Sequence, residues 1–167
     1  IFSFTDIPFN SGNATIMKNQ ISQSNYTTNG ATGSVRDYFF DNSMGILNAN
    51  FTVVGPYTLS QNQAYYGAQN TYDNDIRPRE MVAEACSLAN PNVNFSNFDN
   101  DNDGYVDMIH VSYTGRGEHN GGRTDAIWAH SWALSTPTNF DGVNVYSYSC
   151  SNELRTTASV DGIGTIC

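Results

Sequence analysis

Between Asp99 and Tyr113 the sequence reads Asp-Asn-Asp-Asn-Asp-Gly-Tyr-Val-Asp-Met-Ile-His-Val-Ser-Tyr, and no other stretch restricts the fold as tightly. Carboxylates at Asp99, Asp101 and Asp103, then Gly104, then Asp107 follow the spacing of a calcium loop. A hard divalent cation takes six to eight oxygens, and alternate residues of a tightly curled loop can all turn inward to supply them. Gly104 permits the sharp turn after the third carboxylate. The Tyr105 carbonyl is the expected backbone ligand, and Asp107 closes the set directly or through water. A plain Asp/Asn-rich surface turn is the competing reading. Four carboxylates in nine residues repel one another unless a cation or open water separates them, which favours the cation. The twelfth position, where an EF-hand carries a bidentate Glu, is His110, so this is not an EF-hand. Its exit is apolar over Val106, Met108, Ile109, Val111 and Tyr113, and reads as a buried strand over 106–113 instead of a helix. The expected role of a calcium ion here is structural, setting how that strand enters the core.

Two further local patterns fix helices. Ser34 is placed to cap a helix over 35–42 whose Val35, Tyr38 and Phe39 share a face. Pro78 suits the first turn of a second, in which Met81, Val82, Ala85, Cys86, Leu88 and Ala89 recur at three and four before Asn90-Pro91 stops it. A weaker helix is expected over 13–24. Alternating residues at 1–5, 51–59, 125–132 and 143–148 read as strands, the last entered through a Phe140-Asp-Gly-Val hairpin turn. The run 65–75 reads as loop, 114–123 as a long Gly-rich turn without phosphate-loop spacing, and 151–159 has no clear assignment. This order of strands and helices implies one α/β (α+β) domain over 1–167, with a mixed sheet.

Composition excludes several functions. The net charge is −9, with one lysine, Lys18, and half of the acidic residues fall between Asp73 and Asp107, so a nucleic-acid footprint is absent. No apolar run is long enough to span a membrane. The three cysteines, Cys86, Cys150 and Cys167, lack metal-binding spacing; Cys86 reads as a buried thiol and Cys150 with Cys167 as the more plausible disulfide. His110, His119 and His130 show no short helical spacing, and Glu118 beside His119 has no metal partner at a sensible distance along the chain. From these residues alone, no active site is assembled.

Several strings together resemble one family: Gly33 to Gly45, Val53 to Leu59, the calcium-like loop running into Asp107 to Tyr113, Gly115 to Glu118, Asp125 to Trp132, and Gly162 to Cys167. They resemble the secreted bacterial M6 metallopeptidases, the immune-inhibitor-A-like zincins. The resemblance implies the N-terminal, upper part of a zincin (metzincin-like) catalytic domain, with a twisted mixed sheet backed by helices. In that family the closing stretch leads into a His-Glu-x-x-His helix that binds zinc and carries the general base. Zinc and its ligands are therefore expected outside this chain, which alone is expected to be inactive. The resemblance also implies a sheet edge that pairs with substrate backbone, here assigned to 125–132, with Trp128, His130 and Trp132 as substrate-binding residues. The calcium ligands carried over are Asp99, Asp101, Asp103, Tyr105 and Asp107. A protein or peptide substrate, a secreted or cell-surface bacterial location, and pairing with a second copy or with the remaining half of the domain complete the expectation. The alternative is a calcium-stabilised extracellular module that binds glycan or peptide through its Tyr and Trp surface.

Overall fold

The computed structural model describes residues 1–157 and 159–162. Ile163 to Cys167, and with them the expected Cys150–Cys167 pairing, lie outside the described residues; Cys86 and Cys150 are both buried and do not pair with each other. Burial pushes each thiol up to about 12, so neither is a reactive nucleophile.

Five strands form one mixed sheet in the order β2-β1-β3-β5-β4. β1 (Phe2–Ser3) runs parallel to β2 (Tyr57–Thr58) and to β3 (His110–Tyr113), and β3 runs parallel to β5 (Val143–Asn152). β4 (His130–Phe140) is antiparallel to β5 and forms one edge, with β2 at the other. The α/β class and the mixed sheet are as expected. The β4–β5 connection is Asp141-Gly142, both at positive φ (52° and 91°), the conformation a two-residue hairpin needs to match strand twist. A register shift interrupts β4 between Ala133 and Thr138, where Pro137 sits, and an edge strand can carry a proline because its outward N–H groups have no ladder partner.

Helix α4 (Pro78–Ala89) covers one face. Its Met81, Val82, Ala85, Cys86 and Ala89 are buried against Phe2, Val111, Tyr113, Tyr148 and Cys150, residues that alternation along the strands places on a single side. Helices α1 (Asn13–Ser22) and α2 (Val35–Asn42) pack against each other. The start of α2 is a capping box, with Ser34 Oγ accepting the Asp37 N–H and the Asp37 carboxylate accepting the Ser34 N–H. α1 is tied to the sheet by Asn13 Nδ2 donating to Glu153 and by Lys18 Nζ donating to the Gly55 carbonyl.

The structure shortens some expected elements and lengthens others. α1 stops at Ser22, and of 51–59 only Tyr57–Thr58 pairs, beyond the Gly55-Pro56 cis peptide. The 65–75 loop begins inside a single turn, α3 (Gln63–Tyr66), capped by Asn62. β3 starts at His110, because 105–106 contact Asn144 before the regular ladder begins. β5 continues through Asn152, into the stretch left unassigned from the sequence. β4 begins at His130 and runs to Phe140, so the expected strand over 125–132 is corrected. Segment 125–129 is held by other partners: the Trp128 N–H donates to Asp75 Oδ2 and the Ile127 carbonyl accepts from Tyr113 Oη.

Two interior polar groups matter for stability. Glu153 is fully buried and accepts three hydrogen bonds, from the Asn10 N–H, Asn13 Nδ2 and the Gly115 N–H. His110 sits between Ser149 Oγ (2.8 Å) and Ser151 Oγ (2.9 Å), one bond to each ring nitrogen. Burial, and then the Ile1 ammonium, push its pKa down from 6.5 to about 4. A folded-state pKa below the unfolded value means the neutral ring stabilises the fold above pH 6.5 and that contribution is lost as pH falls toward 4. We expect the chain to lose about 2–3 kcal/mol of stability across that window from this residue. Urea unfolding at pH 7.5 and pH 4.5 checks this, and a His110→Gln variant should show a clearly shallower slope; equal slopes would remove the assignment.

Candidate substrate edge and cation loop

The acidic loop over 99–107 is curled by hydrogen bonds between its carboxylates and its own backbone. The Asp99 carboxylate accepts the N–H groups of Asp103 (3.0 Å) and Gly104 (3.1 Å), and Asp101 Oδ1 accepts the Asp103 N–H (3.2 Å). Asn102 and Gly104 turn the chain at φ 60° and 85°. At Gly104 a side chain would meet no neighbour, so it is the backbone conformation that favours glycine there. Ligand oxygens of Asp99, Asp101 and Asp107 lie within 4.8 Å of one another, the single convergent group of metal-binding side chains among the described residues. An all-oxygen donor set of this kind suits calcium and not a softer metal. Asp103 lies outside that triplet, its Oδ1 accepting the Tyr105 N–H (2.8 Å). His110, at the twelfth position, turns away into the sheet.

The loop is also stitched to the β4–β5 hairpin. The Asn144 N–H donates to the Gly104 carbonyl (2.8 Å), and the Val106 N–H donates back to the Asn144 carbonyl (3.0 Å). Val106, next in line, is buried in the core. Whatever orders this loop therefore orders the start of β5, and through it β4.

Among the described residues β4 has β5 on one side and no strand on the other. A free antiparallel edge can accept an extended peptide through its main-chain groups. Trp132 is 57% exposed, and the Arg79 guanidinium lies 4.3 Å from its ring centre. Arg79 Nη1 also donates to Ser135 Oγ (3.2 Å), so a cation from α4 braces the indole from the core side. Trp128 is 53% exposed but precedes the strand. His130 lies between the two tryptophans, and both of its nitrogens are engaged: Nδ1 with the Trp128 carbonyl (2.7 Å) and Nε2 with Tyr148 Oη (3.0 Å). It braces the edge and offers no free nitrogen.

Asp75 was missed from the sequence, where it fell in an unpatterned loop. Its Oδ2 accepts the Trp128 N–H (3.0 Å) and so fixes the approach to β4. Burial raises its pKa, against the opposing pull of that hydrogen bond and of His130. On the Gly-rich turn, Glu118 Oε2 accepts Gln69 Nε2 (2.7 Å) and His119 Nδ1 accepts the Ala129 N–H (3.3 Å). These residues hold the loops around β4 together. They and the other two histidines do not converge, so the described residues do not fit a hydrolytic zinc ion.

Comparison with known proteins agrees with this architecture. The family described as immune inhibitor A peptidase M6, catalytic domain, matches residues 16–155. Two curated relatives named Pre-pro-metalloprotease PrtV, from Vibrio cholerae serotype O1 strains M66-2 and ATCC 39315 / El Tor Inaba N16961, are each 32% identical over 120 residues. The similarity covers 60% of this chain and 13% of each relative.

Proposed function

The chain belongs to the immune inhibitor A peptidase M6 family, and from that premise we propose that it is the sheet-bearing part of a secreted zinc endopeptidase, gripping substrate along β4 and steadied by calcium at Asp99–Asp107. The observation that carries this reading is the free antiparallel edge of β4 with an exposed, Arg-braced indole on it. An extended substrate adds to that edge as a further strand, its backbone satisfied by main-chain groups and its side chains sorted by Trp128 and Trp132. Peptide-bond hydrolysis needs a metal-activated water, which zinc supplies when bound. The zinc ligands and general base belong to polypeptide outside this chain, with which it pairs. Asp99, Asp101 and Asp107 hold the calcium ion, joined by Asp103 and the Tyr105 carbonyl once it is bound, and the ion's role is to fix the β5 start behind the substrate edge.

The full-length protein should cleave a denatured protein substrate and lose that activity to a zinc chelator, whereas residues 1–167 with added zinc should not cleave it. In the full-length protein, Trp132→Ala should raise KM about 5- to 30-fold, the loss of one aromatic contact of about 1–2 kcal/mol, with kcat and melting temperature nearly unchanged. Zinc-dependent cleavage by residues 1–167 that disappears on replacing His119 would place the active site here and overturn this reading.

A further inference from the structure

Arg79 brings a positive charge to the edge of the sheet and finds no counter-ion there. The chain carries 16 acidic residues against 7 basic ones, yet the single ion pair among the described residues is Arg123 with Asp125. The two carboxylates of α4 are turned elsewhere: Glu80 accepts from Tyr65 Oη (2.9 Å) and Glu84 from Tyr66 Oη. Asp75, at the start of the edge, accepts the Trp128 N–H. A guanidinium holds five N–H donors in one plane. In Arg79 the Nη1 group donates to Ser135 Oγ at the surface, Nε is shut away from water without a partner, and Nη2 has none among the described residues. A cation that has lost part of its hydration with nothing in exchange binds an anion more strongly than a fully hydrated one.

The register of β4 sets this charge against one substrate residue. His130 pairs with Cys150 and Trp132 with Tyr148, and both partners are buried on the α4 side of the sheet. Side chains of a peptide added along the outer edge of β4 alternate between the two faces. The one that meets Trp132 on the α4 side therefore also meets the Arg79 guanidinium, 4.3 Å from the indole centre. The neighbouring position on that face lies about 6.6 Å along the strand. There it passes His130, whose two ring nitrogens are already engaged. We propose that Arg79, held on the Trp132 ring, is a specificity-determining residue that selects a substrate with an acidic side chain, Asp or Glu, at this position. This selection rests on the reading of β4 as the substrate edge. A carboxylate there accepts charge-assisted hydrogen bonds from the free N–H groups, a Gln keeps only a weaker neutral bond, and a Lys sets two cations together.

The test uses the full-length protein and matched peptide substrates that carry Glu, Gln or Lys at one position, moved residue by residue across the scissile bond. At one position Glu should exceed Gln in kcat/KM by about 5- to 20-fold, mostly through KM, with Lys the poorest. Arg79→Gln should abolish the Glu preference, Arg79→Glu should reverse the order so that Lys leads, and Arg79→Lys should keep part of the preference. If Arg79→Glu does not fold, the Gln and Lys variants decide. A Glu preference at no position, or one that survives Arg79→Gln, overturns the proposal. So does an Arg79→Gln variant that slows all three peptides by the same factor, because Arg79 would then only prop Trp132. Trp132→Ala, measured on the Gln peptide, separates this proposal from the reading beneath it. If it raises KM while the unaltered protein shows no Glu preference, the charge selection alone falls; an unchanged KM removes the substrate edge and the selection with it.

Discussion

Replacing Glu153 with Ala should cost about 4 kcal/mol or more, and so bring the chain close to unfolding. The carboxylate is fully buried and accepts from three donors in two separate parts of the chain: the Asn10 N–H (3.0 Å), Asn13 Nδ2 (2.7 Å) and the Gly115 N–H (3.0 Å). Truncation strands the Asn13 and Gly115 donors away from water, whereas Asn10 is itself exposed. Each buried donor left without a partner costs about 1–3 kcal/mol, against a typical total stability of about 5–15 kcal/mol. Glu153→Gln is the informative control. It keeps the volume and one carbonyl oxygen but sets an NH₂ group against a donor, so it should lie between wild type and Ala, near 1–3 kcal/mol. Urea unfolding midpoints decide the matter: an Ala variant within 1 kcal/mol of wild type would mean that the knot contributes little.

Calcium should produce the second-largest effect. A loop that binds with a dissociation constant one hundredfold below the free calcium concentration stabilises the fold by about 2.7 kcal/mol. For a chain of this size that corresponds to about 5–11 °C in melting temperature. The stitching of Gly104 and Val106 to Asn144 means that the loss extends past the loop. Removing the ion should therefore speed amide exchange at the start of β5 as well as at 99–107. Asp101→Asn should abolish most of the calcium-dependent shift while leaving the metal-free melting temperature unchanged or slightly raised, since it relieves repulsion among Asp99, Asp101 and Asp107. Calorimetry on metal-stripped protein that detects no binding, with no shift in chelator, would sink the assignment.

The features that could be read in advance are those decided by near neighbours along the chain. The Asp99–Asp107 spacing curls its own loop, Ser34 and Asp37 cap α2, the α4 stripe buries as its period requires, and Asp141-Gly142 turns the hairpin. Strand boundaries were less legible. The alternation over 125–132 is genuine, but Asp75 and Tyr113 claim the backbone of Trp128 and Ile127, and β4 starts later. The resemblance to M6 peptidases, carried by whole strings of residues, was legible too and is matched over 16–155.

Near neighbours along the chain thus set the turn of the acidic 99–107 loop, the caps, the helical stripe and the hairpin turn, and whole strings of residues carry the family. The packing of distant segments puts β4 at an edge of the sheet, makes His130 a brace and makes Asp75 and Glu153 anchors. Each of these depends on partners far apart in the chain, Asn10 with Glu153 or Asp75 with Trp128. A carboxylate in an unpatterned stretch looks the same in the sequence whether it ends in water or beneath three donors, because burial is a property of what packs against it.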